Sequence, residues 1–158
     1  MQVLILGLGN ALMRDDGFGV QAIAALTSRF RFPAEIRLID GGTLGLDLLP
    51  HLENVDKLVI VDALDMREPP GRVFRLEGDS VPRAFASKLS VHQMGIQDLL
   101  AVAELQGHLP GTLVVWGVQP ESIEMGTELT PAVAAALPVV LNGVAGELQS
   151  WNCPCVTI

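Results

Sequence analysis

VLILGLGNALMRDDGFGV, from Val3 to Val20, decides how the rest of the chain is read. The unbroken apolar run Val3 to Leu6 suits a strand covered on both faces, and Gly7 and Gly9 end it in a tight turn. From Gly17 to Phe30 the apolar residues Val20, Ile23, Ala24 and Leu26 recur at helical spacing, so a strand passes into a helix through a glycine-rich loop. Such a loop ordinarily cradles a phosphate. This one carries two adjacent carboxylates, Asp15 and Asp16, and has Leu12 at the third glycine position of a dinucleotide fingerprint. Carboxylates beside a pyrophosphate repel it by roughly 1–4 kcal/mol per close charge pair at surface dielectric. The turn is better suited to a cation.

Outward from this stretch, Glu35 to Asp40 reads as a second strand broken by Gly41 and Gly42. Thr43 is placed to cap a short helix through Leu49 that Pro50 ends. KLVIVD, Lys57 to Asp62, is the clearest buried strand, rich in branched side chains. Ala63 to Gly71 is too short for a crossover helix and holds Pro69 and Pro70, so Arg72 to Leu76 is expected at an edge, antiparallel to its neighbour. Met94 to Leu105 reads as a helix and Thr112 to Val118 as another buried strand. Thr130 and Pro131 open a final helix that runs to about Gln149, with Pro138 as a kink point. The order β-α-β-α-β-β-α-β-α predicts a single three-layer α/β domain over residues 1–150, followed by a tail, 151–158. Its sheet is expected to be five-stranded, twisted and mostly parallel, with one antiparallel edge strand and helices on both faces.

Composition narrows the function classes. A chain of 158 residues, 49% hydrophobic, is ample for one buried core. The net charge of -8, with Lys57 and Lys88 the only lysines and no basic cluster, makes nucleic acid and anionic membranes poor partners. MQVLILGLGN has no basic n-region or cleavage site and reads as a strand. Ala132 to Val144, the most apolar later segment, is too short to cross a bilayer and carries Pro138, Asn142 and Gly143. These features predict a cytoplasmic protein; a monomer is expected, though nothing in the sequence fixes the oligomeric state. Cys153 and Cys155 form a C-x-C pair too close in sequence for an ordinary disulfide, and the tail that holds them is expected to be an exposed, flexible terminus.

In an open α/β sheet, ligands bind beyond the carboxyl ends of the parallel strands. Asp15 and Asp16 follow the first strand, Asp40 closes the second, Asp62 closes the third, and His92 lies in the loop between the antiparallel strand and the third helix. Asp16, Asp62 and His92 offer two hard oxygens and one imidazole nitrogen, a set suited to Ni, Zn, Mn or Fe with positions left for substrate or water. A lone acid at a strand end is more often a turn-former or a cap, and Asp15 is read as a cap for the first helix. For Asp62 the burial expected directly after KLVIV demands a cation or hydrogen-bond donors. His51 and His108 read as structural or solvated, and Ser90 lies in no G-x-S-x-G turn.

Together these residues resemble the hydrogenase maturation proteases, the endopeptidases that trim the C-terminus of the large subunit of nickel-iron hydrogenases. The family's opening G-x-G-N-x-L-x-x-D-[DE]-x-x-G is matched by Gly7, Gly9, Asn10, Leu12, Asp15, Asp16 and Gly19. DGGT at Asp40 to Thr43, VIVDA through Asp62, SVHQMG around His92 and GVQPESIEMGTELTPAV from Gly117 to Val133 resemble the later blocks in order and spacing. The resemblance implies metal ligands at Asp16, Asp62 and His92, which would also be the catalytic residues; some relatives carry glutamate where Asp16 stands. It implies that nickel arrives with the hydrogenase large-subunit precursor, the expected partner, and that another divalent metal can occupy the site in isolation. The enzyme is expected to be a metal-dependent endopeptidase, with an aspartyl type as the alternative. Asp40, Gly41, Gly42 and Thr43 are expected to shape the substrate cleft. Two other readings fit the bare spacing: a nucleotide-binding oxidoreductase module on the Gly7 to Asn10 turn, and a non-catalytic nickel-binding chaperone using the same three ligands.

Overall fold

The computed structural model describes residues 1–81 and 91–158, with the backbone alone for 91–95. Its elements run β1 (Val3–Leu8), α1 (Phe18–Arg29), β2 (Phe30–Arg31), β3 (Ile36–Gly42), β4 (Lys57–Ala63), β5 (Val73–Glu77), α2 (Val91–Leu105), β6 (Thr112–Val118), α3 (Pro131–Ser150) and β7 (Val156–Thr157). The main sheet has five strands in the order β3-β1-β4-β6-β5. β1, β3, β4 and β6 are parallel, and β5 is the antiparallel edge strand anticipated from its short, proline-bearing connection. Its neighbour is β6 rather than β4, because the loop after β4 wraps the end of β6. Leu64 and Gly71 donate backbone N–H groups to Val118 and Gln119 at 2.9 Å each.

Side chains alternate across a strand, and the apolar runs of β1 and β4 feed both faces. Val3, Ile5, Val59 and Val61 meet α1 and α3 in one core. Leu4, Leu6, Leu58 and Ile60 meet α2 and the 45–52 segment in the other. The core stripe of α1 is Phe18, Ala22, Ile23 and Leu26, while Val20 is turned partly outward at its first turn and Ala24 is exposed. Gly19 lets α1 press against the strand ends: a Cβ there would lie 2.2 Å from the Val61 carbonyl oxygen and 2.4 Å from that of Leu8. That close approach fixes the start of α1 directly over the carboxyl ends of β1 and β4.

Three expectations are corrected. The segment after Gly42 is not an α-helix capped by Thr43 but a 3₁₀ helix, Gly45–Leu52, with Leu44 at its N-cap and Pro50 inside it. The chain must take a positive φ of 57° at Gly45, and the turn then closes through i→i+3 bonds such as Asp47 N–H to the Leu44 carbonyl at 3.2 Å. Second, Cys153 is not exposed but buried in the α1/α3 core. At the end of α3 the Asn152 φ is 59°, Cys153 donates to Leu148 O at 3.0 Å, and Asn152 donates to Gln149 O at 3.1 Å. This left-handed helix cap turns the chain back onto the core. β7 then pairs antiparallel with β2, a two-residue ribbon that no sequence pattern announces. Third, the apolar stretch is not too short: the final helix runs from Pro131 to Ser150, as its cap and proline predicted, and the whole of it rather than Ala132–Val144 is apolar. Its 20 residues and mean hydropathy of 1.5 give it the length and composition of a membrane span. Its Val133, Ala136, Val140, Leu141, Val144 and Leu148 pack on the sheet instead, which accounts for the apolar composition of a core helix.

Candidate active site

The loop from Gly9 to Gly17 crosses the carboxyl ends of β1 and β4. Gly9 has a φ of 123°, open to glycine and strained for other residues, and a Cβ there would lie 1.8 Å from the Asp16 carbonyl oxygen and 3.6 Å from Asp62 Oδ1. The Asp16 backbone and the Asp62 carboxylate therefore both approach Gly9, from the α1 and β4 sides. Asp62, next to last in β4, is fully buried, and its Oδ1 accepts the Ala63 N–H at 2.8 Å. Asp16 is half-buried, and its Oδ2 accepts the Asn10 N–H at 3.0 Å. Asn10 Oδ1 in turn accepts the Leu12 N–H at 2.9 Å, a side-chain turn that bends the loop toward Asp16.

Asp15 faces the other way and is not the cap of α1. Its fully buried carboxylate accepts N–H bonds from Glu121 at 2.9 Å, Ser122 at 3.0 Å and Thr130 at 2.8 Å, and the Thr130 hydroxyl at 2.7 Å. Burial opposes the charge, but these donors, led by the Thr130 N–H, outweigh it and hold the carboxyl below the ordinary aspartate value. Thr130 does sit at the N-cap of α3, yet its side chain makes no cap bond because Asp15 takes the hydroxyl. The result is a clamp. Arg14 N–H bonds Gly126 O and Gly126 N–H bonds Leu12 O, both at 2.8 Å, so the β6–α3 loop is stitched to the glycine loop along its length.

Gln119, buried at the end of β6, was not singled out from the sequence. Its Oε1 accepts the N–H groups of Met66 at 2.7 Å and Glu68 at 3.2 Å, while Nε2 donates to Asp65 Oδ1 at 3.0 Å. It fastens the loop that follows Asp62. A buried amide at a strand end, inside the GVQPESIEMGTELTPAV block, was the available signal.

A cleft of about 250 Å³ opens between Gly9, Asn10, Ala11, Val20, Asp40, Gly42 and Thr43. Asp40, Gly42 and Thr43 thus line one wall, and Asp40 Oδ1 accepts the Gly42 N–H at 3.0 Å. Gly41 faces the core: a Cβ there would lie 2.8 Å from Leu6 Cδ1 and 3.1 Å from Leu48 Cδ1. His92 falls in the first turn of α2, and its side chain lies outside the described residues, as does Ser90. Among the described residues no three His, Cys, Asp or Glu side chains gather closely enough to share a metal ion. Cys153 and Cys155 are free thiols whose pKa values burial pushes up, so neither is poised as a thiolate.

Comparison with known proteins gives one consistent answer. A family model described as hydrogenase maturation protease matches residues 20–147. The chain is 41% identical over 153 residues to the hydrogenase expression/formation protein HupD of Rhodobacter capsulatus, covering 96% of this chain and 73% of that one. It is 38% identical over 150 residues to the hydrogenase 2 maturation protease of Escherichia coli strain K12, covering 94% and 92%. Among solved structures, the hydrogenase maturating endopeptidase HybD of E. coli superposes with a TM-score of 0.96 at 36% identity, over 99% of this chain and 98% of that one. The HybD maturation protease of Thermococcus kodakarensis gives 0.77 at 30% identity, over 94% and 99%.

Proposed function

The chain belongs to the hydrogenase maturation protease family, and we propose on that premise that it removes the C-terminal extension from the nickel-loaded large-subunit precursor of a nickel-iron hydrogenase. The reaction is peptide hydrolysis. Water adds to the scissile carbonyl, the C–N bond breaks, and the proton taken from the water passes to the leaving amine. The observation that carries the site assignment is Gly9: the absence of a side chain there lets the Asp16 and Asp62 segments close on one point at the mouth of the cleft.

In this reading Asp16, Asp62 and His92 hold the nickel that arrives with the precursor. Two carboxylates and an imidazole are a suitable donor set for that ion, which supplies Lewis acidity toward the scissile carbonyl. Asp62, buried and fixed by the Ala63 N–H, orients; Asp16, half-buried beside the cleft, takes the proton from water. The clamp on Asp15 holds this arrangement against the β6–α3 loop. Metal dependence, a cytoplasmic location and a monomeric state belong to the same proposal. The test mixes the purified protein with its precursor, with and without nickel, and reads the precursor by mass spectrometry. Release of a C-terminal fragment only from the nickel-loaded form supports the reading; an uncut nickel-loaded precursor refutes it.

A further inference from the structure

Among the described residues β3 is an edge of the sheet, with β1 on one side only. The Val3 N–H bonds the Glu35 carbonyl at 3.0 Å, and with Val3 opposite Ile36 this sets the phase of the ladder. In a parallel pair, alternate residues face the partner strand. Arg37 and Ile39 therefore turn their backbone groups to β1, while Leu38 and Asp40 turn theirs outward. The Ile36 N–H, which also faces out, is taken by the Pro33 carbonyl at 3.1 Å. Among the described residues nothing pairs with the two N–H donors and two carbonyl acceptors that Leu38 and Asp40 present on this edge, a template for an added strand. The edge leads into the site: Asp40, its outer residue, is also a wall of the cleft whose opposite side is Gly9 and Asn10.

From this continuity we infer that the precursor's C-terminal segment binds as an extended strand added to β3, making up to four main-chain hydrogen bonds with Leu38 and Asp40 and delivering its scissile bond to the cleft beside Asp16. The inference rests on the protease reading for the identity of the occupant. Main-chain pairing explains how such a site takes a peptide with little side-chain contact: the cleft's walls are glycine, alanine, threonine and two short polar side chains besides Val20.

The test uses three variants of the full chain. Leu38→Pro removes one outward N–H and sets a ring on the edge, at a position where the ladder to β1 loses nothing. Leu38→Ala trims the side chain and keeps the amide. Val73→Pro makes the same change on β5, where the bonds Gln119 N–H to Arg72 O and Gly78 N–H to Leu113 O place the Val73 amide on the outer side. Precursor binding and trimming are both measured. Leu38→Pro is expected to weaken binding and trimming roughly tenfold or more relative to Leu38→Ala, which carries whatever the lost side chain costs, while Val73→Pro stays within about twofold of the parent. Hydrogen exchange on the parent provides a measurement independent of any variant's folding: the Leu38 and Asp40 amides gain protection when precursor binds, and the Val73 and Arg75 amides do not. Equal binding by Leu38→Pro and Leu38→Ala, or no added protection at Leu38 and Asp40, overturns strand addition while leaving the protease reading intact. A parent that binds with protection at the edge but releases no fragment refutes the protease reading and supports the strand.

Discussion

Asp15 and Asp16 are joined by one peptide bond and serve opposite sides of the loop: Asp15 accepts four bonds from the β6–α3 loop and the start of α3, whereas Asp16 accepts the Asn10 N–H beside the cleft. One acid builds the candidate site, and the other is the one proposed to act in it. Opposite consequences follow from removing them.

Replacing Asp15 by alanine leaves three N–H groups and one hydroxyl without their acceptor, which destabilises the fold by about 3 kcal/mol or more. Thermal unfolding checks this. The acid dependence has a definite sign. Because the folded-state pKa of Asp15 is lowered, its contribution is complete above the ordinary aspartate value near 4 and is lost as pH falls through the lower folded-state value. The stability gap between the parent and Asp15→Asn should hold from pH 7 to about 5 and shrink as pH drops below about 4. A gap that widens with acid contradicts the clamp.

Gly9 and Gly146 make opposite predictions for the same substitution. Gly9→Ala places a methyl group 1.8 Å from the Asp16 carbonyl oxygen at a φ of 123°, so it is expected to lower stability by about 2 kcal/mol or more and to impair trimming through the displaced Asp16. Gly146→Ala adds a methyl group in open space on a helix, and raises stability by roughly 0.5–1 kcal/mol with trimming unchanged. Melting curves and a trimming assay on both variants check the pair.

Glu147 is a buried acid on α3 that accepts the Trp116 indole N–H at 3.2 Å and pairs with the Arg75 guanidinium. That pairing raises the Arg75 pKa further above its ordinary range. Glu147→Ala strands the indole N–H and half of the pair, for a loss of about 1–3 kcal/mol in denaturant unfolding. Since Glu147 lines neither the cleft nor the glycine loop, trimming should persist at temperatures where the variant is folded.

Most of the architecture was legible because it rests on local patterns. β1, β4 and β6 announce themselves as apolar runs, and the short Ala63–Gly71 connection announced an antiparallel edge strand. What escaped was set at long range. Asp15 finds its partners 106 to 115 residues away, so its own neighbourhood suggested only a helix cap. The burial of Cys153 depends on one left-handed residue, Asn152, after α3, and the β2/β7 ribbon is too short to carry a pattern. At the candidate site the motif spacing pointed to Asp16, Asp62 and the wall at Asp40 to Thr43; it did not separate Gly41, which packs inward, from Gly42, which lines the cleft.

The central claim is that Asp16, Asp62 and His92 act together on the substrate's nickel. It is tested most directly by the rate at which Asp16→Ala, Asp62→Ala and His92→Ala trim nickel-loaded precursor, each checked for a cooperative melt. The account predicts folded variants slowed by roughly a hundredfold or more. Three folded variants that release the fragment at the parent rate would contradict it.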